Sequence, residues 1–111
     1  MSAITTHVLD TSLGRPGQQI AVRLFREEQG EWRQIGQDKT DDDGRVKGLL
    51  AGELQAGIHR IEFDTGEYFR RTNRQGFYPY VEITFEVTSP QEHHHVPLLL
   101  NPFGFSTYRG S

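Results

Sequence analysis

Val81-Glu82-Ile83-Thr84-Phe85-Glu86-Val87 is the stretch that sets the fold class of this chain. Val81, Ile83, Phe85 and Val87 alternate with Tyr80, Glu82, Thr84 and Glu86, the two-residue period of a strand with one face buried and the other in water. Similar stretches lie on either side. Residues 4–9 read as a short strand with Thr5, His7 and Leu9 on one face, followed by a loop through Gly14, Pro16 and Gly17. Ile20, Val22 and Leu24 open a second strand that ends near Glu27, and a third covers residues 32–39. Gly30 supplies the permissive backbone position in the hairpin Glu28-Gln29-Gly30-Glu31. Residues 58–63, 93–101 and 103–109 complete the strands, and residues 49–56 carry little signal. Asp64-Thr65-Gly66-Glu67 has the spacing of a capping box. Tyr68, Phe69 and Thr72 follow it at helical spacing, which predicts one helix of about two turns closed by Gly76. Roughly seven or eight short strands with frequent turns predict an all-β antiparallel sandwich. With no linker or repeat, residues 1–111 read as one domain.

The totals narrow the function classes. A chain of 111 residues can hold one core with little surplus, and self-association is one way to gain buried area. A hydrophobic fraction of 34% points the same way. Cysteine is absent, which removes disulfides and thiolate metal sites. A net charge of -3 with dispersed basic residues, Arg70, Arg71 and Arg74 apart, argues against a nucleic-acid face. No apolar run approaches ~18 residues, so no membrane-spanning helix is expected. Met1-Ser2-Ala3 leads directly into patterned sequence, without a basic and apolar leader, which predicts a cytoplasmic protein.

Chemistry concentrates near the end of the chain. His93 and His95 are two apart and share a strand face, whereas His94 falls with Val96, Leu98 and Leu100 on the apolar side. His7 sits in another strand, and Arg45 directly follows the acidic turn Asp41-Asp42-Asp43-Gly44. One reading is metallic: His93, His95 and His7 could form an open three-histidine zinc site that activates water. Another needs no metal, with imidazoles moving protons near neutrality while a guanidinium holds a carbonyl or developing oxyanion. A solvated run of histidines and an arginine neutralising the acidic turn are the plainer alternatives. No Ser-His-Asp signature or nucleophile elbow is present, so water is the expected nucleophile.

Three segments then carry a resemblance: Thr6-His7-Val8-Leu9-Asp10, Asp41-Asp42-Asp43-Gly44-Arg45, and the run from His93-His94-His95-Val96-Pro97 to Tyr108-Arg109-Gly110-Ser111. Together they resemble the 5-hydroxyisourate hydrolases, the transthyretin-like enzymes of urate breakdown. The middle of the chain, Gly57-Ile58-His59-Arg60-Ile61-Glu62-Phe63-Asp64-Thr65, fits as well. The closing tetrapeptide is the specific part, because hormone-carrying transthyretins share the fold and lack this ending.

The resemblance implies a transthyretin-like β-sandwich of two four-stranded sheets with one helix between the fifth and sixth strands. It implies a homotetramer, a dimer of dimers, with sites at the central interface. The implied reaction is metal-free hydrolysis of 5-hydroxyisourate to 2-oxo-4-hydroxy-4-carboxy-5-ureidoimidazoline, with no organic cofactor. By position, His7 and His95 match the family's catalytic histidines and Arg45 its substrate-holding arginine. Ser111 and its carboxylate would lie near the reacting centre, and Tyr108 would line the pocket. His94 stands where relatives commonly carry tyrosine, and it should point away from His95. A carrier that binds an aromatic ligand in a central channel is the non-enzymatic alternative. That role needs an apolar channel, which His7, Arg45, His95 and Ser111 would fill with polar groups.

Overall fold

The computed structural model describes residues 3–111; the expected start of the domain at Met1 and Ser2 lies outside them. Among the described residues nine strands and one helix follow one another. They are β1 (Ile4–Asp10), β2 (Arg15–Pro16), β3 (Ala21–Glu28), β4 (Glu31–Lys39), β5 (Arg45–Val46), β6 (Gly57–Phe63), α1 (Thr65–Arg71), β7 (Val81–Val87), β8 (His94–Asn101) and β9 (Gly104–Thr107).

Two sheets pack face to face, as the alternation predicts. One has the order β4-β3-β6-β7, and the other β2-β1-β8-β9 with β5 also paired to β1. Inward positions of the first sheet include Val22, Leu24, Ile61, Phe63, Val81 and Val87, and those of the second include Ile4, Val8, Val96, Leu98 and Leu100. The ladders are antiparallel except one: β1 runs parallel to β8. The second sheet is also larger than the expected four strands, because β2 and β5 are two-residue additions along β1. The weak segment at residues 49–56 forms no strand, yet it lends Leu49, Leu50 and Leu54 to the core.

The short helix forms in the expected stretch of sequence, but it follows the sixth strand rather than the fifth, because the two-residue strands enter the count. Its ends also differ. Asp64 is the N-cap without a side-chain cap hydrogen bond, so the capping box does not form. The helix stops at Arg71 rather than at Gly76. Thr72 turns its hydroxyl back onto the Tyr68 carbonyl at 2.9 Å, and Asn73 takes the left-handed conformation, φ 58°, a common way to close a helix. Gly76 serves packing instead: a Cβ there would lie 2.5 Å from Phe69 Cδ2.

One buried polar cluster ties this helix to the site-bearing sheet. Asp10, fully buried at the end of β1, accepts hydrogen bonds from Tyr68 Oη at 2.7 Å, Arg74 Nη2 at 2.7 Å and Ser12 Oγ at 2.6 Å. Burial alone would raise its pKa; the hydrogen bonds from Arg74, Ser12 and Tyr68, with the Arg74 charge, outweigh that and hold the carboxyl below its usual 3.8. The stabilisation this gives is therefore present above pH 3.8 and lost as pH falls through the depressed value. Removing one partner of a buried pair strands the other charge. Arg74→Ala should cost about 2–3 kcal/mol in urea unfolding at pH 7, the scale of a hydrogen bond to a buried charged group, and a loss below about 1 kcal/mol, the scale of an exposed pair, would contradict this account.

Candidate active site

The site is built on the face that β1 turns away from the core. Ile4, Thr6, Val8 and Asp10 point inward and are buried, so Thr5, His7 and Leu9 point the other way. Neighbouring strands complete this face. The parallel ladder places His95 beside Thr5 and Pro97 beside His7. The β5 bridge places Arg45 directly opposite His7. A cavity of about 240 Å³ opens here, lined by Thr5, Arg45, Lys47, His93, His95 and Ser111 among others.

Each functional group is held by a local device. Asp41 caps the turn before β5, its carboxylate accepting the N–H groups of Asp43 and Arg45, both at 2.9 Å. It neutralises backbone donors rather than the arginine head. Among the described residues the Arg45 guanidinium enters no ion pair, which leaves its donors free for a ligand. At the other end, the Gly110 N–H donates to the His95 carbonyl at 2.8 Å and forms an isolated antiparallel bridge with it. This bridge brings Ser111 to the cavity. A Cβ on Gly110 would lie 2.6 Å from His95 Cδ2, so glycine is what lets the tail pass so close to the ring.

The histidines are organised by Thr5. Its Oγ1 lies 2.8 Å from His95 Nδ1 and 2.9 Å from His93 Nε2. The two rings are near-parallel, with centroids 6.4 Å apart. Burial pushes the His95 pKa below the ordinary 6.5, and the nearby His93, His7 and Arg45 push it the same way against a hydrogen bond with the Thr5 backbone. His95 is thus held neutral at pH 7, as a general base requires. Among the described residues no three His, Asp or Glu side chains are grouped to hold a metal. His93 and His95 converge on a hydroxyl, not on a shared coordination point.

Most of the expected site residues therefore meet. Arg45, His95 and Ser111 line one cavity, and His7 stands next to Arg45 on the same sheet face. Tyr108 is apart: in the single chain it lines a neighbouring cleft of about 290 Å³ with Ile83, Phe85, His94 and Arg109. His94 points to the apolar side as expected, and it is 5% exposed. Thr5 and Lys47 did not stand out as site residues in the sequence. Thr5 could be seen to share a face with His7, but its pairing with His95 depends on a parallel ladder that no local pattern announces.

The chain is similar over nearly its whole length to known proteins. The model of the HIUase/Transthyretin family matches residues 4–110. The chain is 42% identical to 5-hydroxyisourate hydrolase of Mus musculus over 113 residues, covering 99% of this chain and 96% of the mouse protein. It is similar in structure to 5-hydroxyisourate hydrolase of Klebsiella pneumoniae, with a TM-score of 0.87, 34% identity, and coverage of 97% and 98% of the two chains. It is also similar to sea bream transthyretin solved in complex with thyroxine, with a TM-score of 0.92, 28% identity, and coverage of 98% and 95%.

Two results should follow in an NMR titration of the histidine rings. His95 should titrate below 6.5, and Gly110→Ala should displace its resonances while the chain stays folded. A His95 midpoint at or above the ordinary value would contradict the electrostatic account.

Proposed function

The chain belongs to the HIUase/Transthyretin family, and from that membership we propose that it hydrolyses 5-hydroxyisourate at the β1-centred site. The product is 2-oxo-4-hydroxy-4-carboxy-5-ureidoimidazoline, and the step belongs to urate breakdown. The observation that carries the reading is the gathering of Arg45, His95 and Ser111 around one cavity, with His7 paired across the ladder to Arg45.

The chemistry follows from these groups. Arg45, with its guanidinium free, holds the ring carbonyl and takes up negative charge as water adds to it. His95 supplies the base: Nδ1 is engaged by Thr5, which leaves Nε2 as the ring nitrogen able to take a proton from water. His7 lies beside Arg45 on the substrate side, where it binds the ring and shares in proton transfer. Ser111 positions the attacking water. Breaking the cyclic amide then requires a proton on the leaving nitrogen, and the protonated imidazole returns it. No metal or organic cofactor enters this scheme.

The assembly is part of the proposal. We assign a homotetramer, a dimer of dimers, closing the outer face of the β1 sheet. Support comes from the family membership and from the cavity lined by Arg45, His95 and Ser111 lying open on that face of the single chain. The assembly would also have to supply the expected contact between Tyr108 and substrate. Residues 1–111 act as a single unit in this reading, and its location is cytoplasmic. No helix among the described residues is long and apolar enough to cross a membrane. The likeness to sea bream transthyretin with thyroxine favours a carrier as the second reading, but the charged and imidazole lining suits a polar, reacting ring better.

The test is decay of 5-hydroxyisourate, generated in place from urate, with and without chelator-treated protein. Decay should be accelerated regardless of chelation. His95→Asn should cost roughly 10²–10⁴-fold in kcat, the usual worth of a positioned acid–base group, with melting unchanged. Decay at the spontaneous rate would overturn the enzymatic reading, and rate loss on chelation would restore a metal. Sedimentation as an active monomer would remove the interface.

A further inference from the structure

The Thr5 hydroxyl lies between two imidazole nitrogens, and its proton count constrains both rings. A threonine hydroxyl has one proton to donate and lone pairs with which to accept. Among the described residues Thr5 Oγ1 has no third partner beside His95 Nδ1 and His93 Nε2. For its own proton to be partnered as well, it donates to one ring and accepts an N–H from the other. In the first arrangement Thr5 donates to His95, whose own proton then sits on Nε2 and blocks it as a base. In the second, His95 Nδ1–H donates to Thr5, Thr5 donates to His93 Nε2, and His95 Nε2 carries a free lone pair.

We propose that Thr5 and His93 are positioning residues for His95, fixing its proton on Nδ1 and relaying charge from His95 to His93 during turnover. This rests on the reading of His95 as the general base. The proton balance closes. As His95 Nε2 takes a proton from water, Nδ1–H passes to Thr5 Oγ1, whose own proton passes to His93 Nε2. His93 becomes the imidazolium, and His95 is left neutral with its proton on Nε2. When that proton goes to the leaving nitrogen, the relay runs backward and restores the starting tautomer. The net transfer is one proton from water to the leaving group.

The surroundings give this relay its direction. His95 is half-buried and faces His7 from β1, Arg45 and Lys47 from the β5 segment, and Ser111 from the closing tail. A positive charge on its ring is disfavoured there. His93 is exposed to water, which solvates the charge it receives. Sequence position alone makes the pair look like a repeat of histidines, but the hydroxyl between them gives each ring a separate task.

Nitrogen-15 NMR of histidine-labelled protein, read beside steady-state kinetics, tests the proposal. The native spectrum should place the His95 proton on Nδ1, and Thr5→Val should shift it toward Nε2. The same variant should lose about tenfold or more in kcat, part of the ~10²–10⁴ supplied by a general base, with KM nearly unchanged. Thr5→Ser should recover most of that loss. His93→Gln keeps an acceptor for the Thr5 proton, so it should retain the tautomer while lowering kcat. A Thr5→Val protein with the native tautomer and native kcat would overturn the proposal, as would a native His95 protonated on Nε2. Should the unmodified chain leave 5-hydroxyisourate at its spontaneous decay rate, the functional reading falls. The spectra alone then decide whether Thr5 sets the tautomer.

Discussion

The parallel ladder between β1 and β8 is the constraint on which the rest of this molecule depends. It sets Thr5 against His95 and His7 against Pro97, and β1 simultaneously carries Arg45 on its other edge. A strand has a side-chain period of two, so a slip of one residue would exchange the two faces. Ile4, Thr6 and Val8 would then face outward, and Thr5 and His7 would enter the core. Core packing thus fixes the register, and the register places the polar residues. Stability and the site are set by the same hydrogen-bonded ladder.

Around that ladder, small devices spare the candidate site groups from structural duty. Asp41 accepts turn N–H groups, so the neighbouring Arg45 head is not drawn into the acidic turn. Gly110 holds the chain tail to the His95 backbone, so the ring itself is not needed as an anchor. The cationic neighbourhood has two effects in the proposed mechanism. Second to burial, it keeps His95 neutral and able to accept a proton, and it favours the negative charge that builds on a carbonyl oxygen. Arg45 takes part in both effects because the β5 bridge sets it on the face that carries His95.

Local patterns made much of this legible, and non-local ones did not. The alternation from Val81 to Val87 gives a strand because each inward residue meets the core of one sheet. The same logic separated His94 from His93 and His95. The helix ends were misread because Asp64 and Gly76 are placed by tertiary contacts that spacing does not contain. The order of strands was equally hidden, since β1 and β8 meet across nearly the whole chain. The resemblance carried by the three quoted segments singles out His7, Arg45, His95 and Ser111 as candidates, but it does not reveal Thr5 between the imidazoles. Tyr108 marks the opposite case: its motif is plain, while its place in a single chain is a different cleft.

The measurement that bears most directly on the central claim is the handedness of the product. Hydrolysis turns the attacked carbonyl into a carboxylate and leaves the hydroxyl-bearing carbon of 5-hydroxyisourate untouched. An asymmetric cavity with a fixed arginine and a single base therefore acts by accepting one enantiomer of the substrate and passing its configuration to the product. Circular dichroism of a reaction mixture containing urate-derived 5-hydroxyisourate should develop an optical signal whose rate rises with protein concentration. A product that forms faster yet stays racemic, or a signal that ignores protein concentration, would contradict a site organised by the β1 ladder.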